Sequence, residues 1–108
     1  MLYFSISNSD NRHLGFLVLM DEEDSTYADG AVGYYAIKAQ ADEIEQLACT
    51  VEWQILSGLS QQGGLKWHKK KDNVQLCDAH NKIIGQLQQQ HLVLQGVHFL
   101  LNDLTGTL

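Results

Sequence analysis

Residues Ile37 to Ser57 read IKAQADEIEQLACTVEWQILS, and no other stretch so limits the architectures open to this chain. Ile37, Ala41, Ile44, Ala48, Val51 and Ile55 recur at alternating steps of four and three, which puts them on one stripe at about 100° per residue. Gly and Pro are absent from the segment, and Ala, Gln, Glu, Leu and Ile dominate it, so intrinsic propensity agrees with the spacing. The spacing predicts one long amphipathic helix over 37–57. Asp42, Glu43 and Glu45 suit the positive N-terminal end of a helix, and they also allow a start near Gln40 with the residues before it extended. Gly58 supplies a C-terminal stop and Gly63-Gly64 a break.

The remainder reads as short strands and turns. Leu2, Phe4 and Ile6 alternate with Tyr3, Ser5 and Ser7, Ser9-Asp10-Asn11 is turn chemistry, and Leu14 to Met20 is a continuous apolar strand. The first twenty residues therefore read as an antiparallel hairpin. Ser25 to Gly33 reads as a loop, and Tyr34-Tyr35-Ala36 fits either a short strand or the first turn of the helix. Leu65 to Asp78 forms a second hairpin that turns at Lys69 to Asn73. His80-Asn81-Lys82 is the next turn. Ile83 to Gln90 follows as a strand with a bulge at Gly85, and Leu92 to Leu101 as another, interrupted by Gly96. No internal repeat is visible.

This order, ββ-α-βββ(β), predicts a single α+β domain over 1–108: a two-layer antiparallel sheet with the long helix packed across one face. The helical stripe would meet Phe4, Ile6, Phe16, Val18, Trp67, Leu76 and Val97. Leu17, Leu19, Leu92, Leu94 and Leu100 are then left on the other face, more apolar surface than a solvated face carries. Either the sheet curls into a half-barrel or a second chain covers it, as a protein partner or a homodimer.

The formal net charge of −6 disfavours general binding to nucleic acid or to anionic membranes. The N-terminus has no basic region ahead of an apolar run, and no stretch approaches a membrane span. Cys49 and Cys77 do not make a disulfide framework, so both are expected reduced and the protein cytoplasmic.

Four sets of residues invite a functional reading. Asp21, Glu22, Glu23 and Asp24 lack the spaced ligands of a calcium loop and read as a solvated turn or a surface for a basic partner. Trp53 lies about 160° from the helical stripe, beside Cys49 and Leu56, and reads as a patch covered by a loop or the chain terminus, or as a partner or dimer surface. Lys66, Lys69, Lys70 and Lys71 form a basic hairpin able to contact phosphate, although Trp67 falls on the apolar side of the alternation and reads as core. Cys77 and His80 have the gap of a metal pair, but Cys49, His13, His68, His91 and His98 are all isolated, and a regular strand would put His91 and His98 on opposite faces unless Gly96 marks a bulge. No metal or cofactor is expected. Neither cysteine sits where a thiolate is activated, and the glycines form no phosphate-binding fingerprint. The chain therefore reads as a small acidic protein-binding module: an inhibitor, an immunity-type protein or a regulatory subunit. The alternative is a small-molecule-binding domain or enzyme with a pocket between helix and sheet near Tyr34, Tyr35 and His98.

Overall fold

Alternation with a period of two runs further along this chain than the helical spacing suggests. In the computed structural model, which describes residues 2–21, 32–42 and 44–105, the elements are β1 (Leu2–Ser7), β2 (His13–Asp21), β3 (Val32–Ala39), α1 (Ile44–Leu47), α2 (Val51–Ser60), β4 (Lys66–Lys69), β5 (Val74–Cys77), β6 (Ile83–Gln88), β7 (His91–Leu94) and β8 (Val97–Asp103). Each strand pairs antiparallel with the next, and β8 returns to pair with β1 through Phe4↔Asp103, Ile6↔Leu101 and Ser7↔Leu100. The result is a closed eight-stranded barrel. It replaces the expected two-layer α+β sandwich.

The expected long helix is overturned over its first half. Gly33, Tyr35 and Ile37 face inward while Val32, Tyr34, Ala36 and Lys38 face out, so residues up to Ala39 are a strand. Ile37, Ala41 and Ile44 satisfy the helical spacing by coincidence. Helix begins only at Ile44 and is broken before Thr50, whose side chain accepts from the Trp53 backbone N–H (3.2 Å) to cap α2. α2 runs through Gly58 to Ser60. Leu47, Leu56 and Leu59 join the strand side chains in one core, and the Ser60 hydroxyl accepts from the Ala39 N–H (3.3 Å), so the helices close one end of the barrel.

Closure also disposes of the surplus apolar face. Leu17, Leu19, Leu92 and Leu94 are all buried in the single interior and need no second chain to cover them, whereas Leu100 stays on the outer surface (36% exposed). Phe16 and Val18, expected inside, are displaced outward by a bulge. The register slips between Ile6 and Ser7, leaving Leu14 unpaired, and this puts Leu14, Leu17 and Leu19 on the inner side. The strand expected over Leu92–Leu101 is two strands, β7 and β8, joined by Gln95-Gly96, both at positive φ (50° and 82°).

The barrel is built twice from the same half. A shift of 70 positions turns the β1–β2 register into that of β5–β6: Phe4↔Leu17 becomes Val74↔Leu87, Ile6↔Gly15 becomes Leu76↔Gly85, and Ser7↔His13 becomes Cys77↔Ile83, with the bulge in the same place. The turns match as well. Asn8 Oδ1 accepts from the N–H groups of Asp10 (2.9 Å) and Arg12 (3.0 Å), and Asp78 Oδ1 accepts from those of His80 (2.8 Å) and Lys82 (2.9 Å). Asn11 and Asn81 both take the left-handed conformation, at φ 62° and 65°. A Cβ on Gly15 would lie 2.2 Å from the Lys38 carbonyl oxygen, and one on Gly85 would lie 2.1 Å from that of Val93. β3 and β4 then correspond to β7 and β8, since Leu17↔Ile37 matches Leu87↔Leu92 and Trp67↔Leu76 matches Leu101↔Ile6. The halves differ in what they insert. The first has the long β2–β3 connection and both helices where the second has two-residue turns at Gln89-Gln90 and Gln95-Gly96.

Two predictions follow from the paired corners. Gly15→Ala and Gly85→Ala each lower unfolding free energy by about 1–3 kcal/mol in urea titrations, because a methyl group is forced into a carbonyl oxygen. Hydrogen bonds from the Lys82 and His80 backbone N–H groups hold the Asp78 carboxyl below its ordinary range. Its stabilising contribution is therefore present above the ordinary carboxylate range and fades as pH falls through the depressed value. Asp78→Asn, which copies Asn8, keeps the neutral-pH midpoint near wild type and removes this part of the acid sensitivity, whereas Asp78→Ala lowers the midpoint.

Candidate interaction wall

The barrel interior is filled by carbon. Trp67, Phe99, Ile6, Leu14, Leu17, Leu19, Leu65, Leu76, Leu92 and Leu94 are fully buried, and among the described residues no polar or charged residue is buried with them. The buried Tyr35 hydroxyl donates to the Cys77 carbonyl oxygen (3.2 Å), and burial pushes this phenol well above its ordinary range. Burial likewise raises the Cys77 thiol, which disfavours the thiolate that nucleophilic chemistry needs. Groups able to engage a ligand therefore stand on the outer surface.

Among the described residues, the exposed large apolar side chains are Ile44 and Val51 on the helices, Ile83 on β6, Leu100 on β8, and two neighbours on the outer wall of β3. Val32 (49% exposed) and Tyr34 (42%) point out between the inward Gly33 and Tyr35. Across the strand pair, Val32 stands opposite His68 and Tyr34 opposite Lys66. In the register Lys66 pairs with the buried Cys77, and Cys77 with Ile83, which is 58% exposed. Val32, Gly33, Tyr34, Lys66, His68 and Asn81 line a hollow of about 250 Å³. Gly33 is its floor: the Trp67 ring packs directly beneath, and Trp67 Nε1 donates to the Met20 carbonyl (3.0 Å). A Cβ at Gly33 would come within 2.3 Å of that carbonyl and 2.6 Å of the ring.

The residues singled out in the sequence are spread over both ends of the barrel. In an up-and-down barrel, connections alternate between the ends, so the β2–β3 and β4–β5 connections share one rim. Asp21 ends β2 there, opposite Gly33, while Glu22, Glu23 and Asp24 lie outside the described residues. Lys69, Lys70 and Lys71 form the neighbouring tip, where Lys69 Nζ donates to the Lys70 and Lys71 carbonyls. Lys66 is set apart from that tip, on the wall. Trp53 sits on α2 at the other end, half-buried against the core. The Tyr34, Tyr35 and His98 grouping is not assembled: Tyr34 faces out, Tyr35 faces in, and His98 is on β8, separated from β3 by β1 and β2.

The expected separation of His91 and His98 onto opposite faces is corrected by the β7–β8 turn. Val93 pairs with His98 and His91 with Leu100, so both imidazoles point outward as diagonal neighbours. With Gln86, Gln88, Gln89 and Val93 they line a polar hollow of about 440 Å³. Cys77 is buried while His80 is exposed on a turn, and among the described residues no three His, Cys, Asp or Glu side chains converge as a metal site. Reading Tyr34 as possible helix concealed the wall. The signal that could have found it is the alternation of Val32 and Tyr34 with Gly33 and Tyr35, where a glycine stands in an inward place.

Over residues 1–108 the chain matches the family described as HLGFF-containing, Neisseriales, and it belongs to that family. No curated protein and no solved structure matches it. The string in the family description falls at His13-Leu14-Gly15-Phe16-Leu17, with Leu17 in the last place. Its role here is architectural. Leu14 and Leu17 fill the core, Gly15 allows the close approach of β3, and outside the barrel the His13 and Phe16 rings meet edge to face at 4.8 Å. Gly33→Ala is expected to cost about 1–3 kcal/mol by overpacking and to alter the near-ultraviolet circular dichroism of Trp67, because the hollow and the core share this one glycine.

Proposed function

We propose that this member of the HLGFF-containing Neisseriales family is a non-enzymatic protein-binding module that engages its partner through the outer wall of β3 and β4. The observation that carries the reading is the pair of exposed apolar residues Val32 and Tyr34, which line one hollow with Lys66 and His68 on a barrel whose inside is filled. Aromatic and aliphatic anchors ringed by polar groups are the usual anatomy of a contact surface. Closure leaves β3 and β4 flanked on both sides, so a partner meets side chains instead of adding a strand. The acidic run from Asp21 and the half-buried Trp53 stand as separate contact candidates at the two ends.

No helix among the described residues is long and apolar enough to cross a membrane. Ser5, Lys38, Lys66, His68, Gln75, Gln86, Gln88 and His91 occupy outward strand positions, where a membrane-spanning barrel needs an apolar band. This polarity supports an aqueous setting, for which the cytoplasm is the compartment we propose.

A second reading rests on the Gln86–His98 hollow, whose lining of amides and imidazoles suits an uncharged hydrogen-bonding small molecule. Thermal-shift screening of a metabolite panel tests it, since a ligand of the native state raises the melting temperature. The leading reading is tested by tagged capture from source-cell lysate with wild type and with Val32→Ser/Tyr34→Ser. A stoichiometric protein retained by wild type and lost by the double variant is expected, and equal retention by both removes the wall from partner binding.

A further inference from the structure

We infer that the wall takes an acidic protein segment carrying an apolar or aromatic anchor residue, an inference that rests on the binding-module reading above. The first observation is charge placement. The chain has seven Lys and Arg residues, and six of them, Lys38, Lys66, Lys69, Lys70, Lys71 and Lys82, lie on β3, β4 and the two turns that flank β5. On a protein of net charge −6, this places six of the seven cations in one sector around the exposed Val32, Tyr34 and Ile83, where they outnumber Asp72 and Asp78 of the same turns and Asp21 at the end of β2.

The duplication supplies an internal control. Lys66, His68 and Lys69 face Cys77, Gln75 and Val74, and the matching places opposite Ser7, Ser5 and Phe4 are held by Leu100, Asn102 and Asp103. Lys38 corresponds to Val93. The same backbone is thus built without a cation at any of these places, and with an acid at one. Folding does not require the lysines there. Arg12, the counterpart of Lys82, is the one cation repeated in the other half, and its side chain is engaged with Gln46 Oε1 (2.7 Å).

The chemistry of the wall favours a protein over a nucleic acid. A nucleic-acid strand is read by several stacking platforms and a continuous basic track. Here one exposed tyrosine stands with two aliphatic residues, which anchor a peptide side chain but do not stack on bases. The net negative charge also repels a dense polyanion more than it repels a short segment with a few carboxylates. Lysines at the edge of an apolar hollow steer such a segment and set its register.

The test uses the full-length, ¹⁵N-labelled protein and three probes: a synthetic peptide of alternating Glu and Leu/Phe, the same peptide with Gln for each Glu, and a thymidine oligonucleotide. The acidic peptide is expected to shift the amides of residues 32–34, 66–71 and 81–83, with affinity falling about tenfold in Lys66→Glu/Lys70→Glu. Tyr34→Ser is expected to weaken it without changing its salt dependence. Equal binding of the Gln peptide at the wall overturns the acidic preference while leaving the wall a docking site. Shifts confined to other faces, with either peptide, overturn both readings. Tighter binding of the oligonucleotide at the same amides assigns the wall to nucleic acid and overturns the inference.

Discussion

Closure of this sheet depends on two places where backbone meets backbone with no side chain between. Gly15 lies against Lys38–Ala39, and Gly85 against Val93–Leu94. Each glycine sits directly after a bulged residue, Leu14 or Ile84, that turns an extra apolar side chain toward the interior or its margin and tightens the local coil. Both corners carry one further hydrogen bond of the same kind, Gln40 N–H to Leu14 O (2.9 Å) and Gln95 N–H to Ile84 O (2.8 Å). Four strands curled by one such corner make half a barrel, and two halves close it. The last seam is extended past the strands by the Leu104 N–H to the Tyr3 carbonyl (2.8 Å).

A barrel made this way fills itself. Eight strands enclose a space just wide enough for side chains, and Trp67, Phe99 and the leucines occupy it, with the Tyr35 hydroxyl buried against the Cys77 carbonyl. Binding is therefore written on the outside, and the repeat separates what folding needs from what it does not. Turns, bulges, glycines and inward positions agree between the halves. The β2–β3 connection, the helical insertion and the lysines of the wall do not. Among these differences, Lys66 stands where the other half has Leu100, and Lys69 where it has Asp103.

Much of the strand pattern was legible in the sequence. Leu2–Ser7, the hairpin at Leu65–Asp78, the bulge at Gly85 and the burial of Trp67 all rest on strict alternation and turn chemistry. The misreading of Ile37–Ser57 has a specific cause. The inward residues of β3 include Gly33 and Ala39, too small to announce a period of two, while Ile37, Ala41 and Ile44 satisfy a period near 3.6. A long helix over 37–57 leaves one sheet face bare, and a half-barrel, the curl that would cover it, falls short of the full closure observed. The repeat is faint in the sequence because only Asn11/Asn81, Gly15/Gly85, Leu17/Leu87 and Gln40/Gln95 are identical, while Ile6/Leu76, Asn8/Asp78 and Arg12/Lys82 agree only in character. Tyr34 was invisible as a surface residue for the same reason as β3 itself.

The most direct test of a closed, duplicated barrel is the seam between its first and last strands. Nuclear Overhauser contacts between backbone protons of β1 and β8 should connect Phe4 with Asp103, Ser5 with Asn102 and Ile6 with Leu101, as strongly as those that connect Val74 with Lys69, Gln75 with His68 and Leu76 with Trp67 in the corresponding seam. Both sets present at equal strength are the predicted result. Contacts in the β4–β5 seam with none between β1 and β8 would mean an open sheet, and would contradict both the closure and the equivalence of the halves.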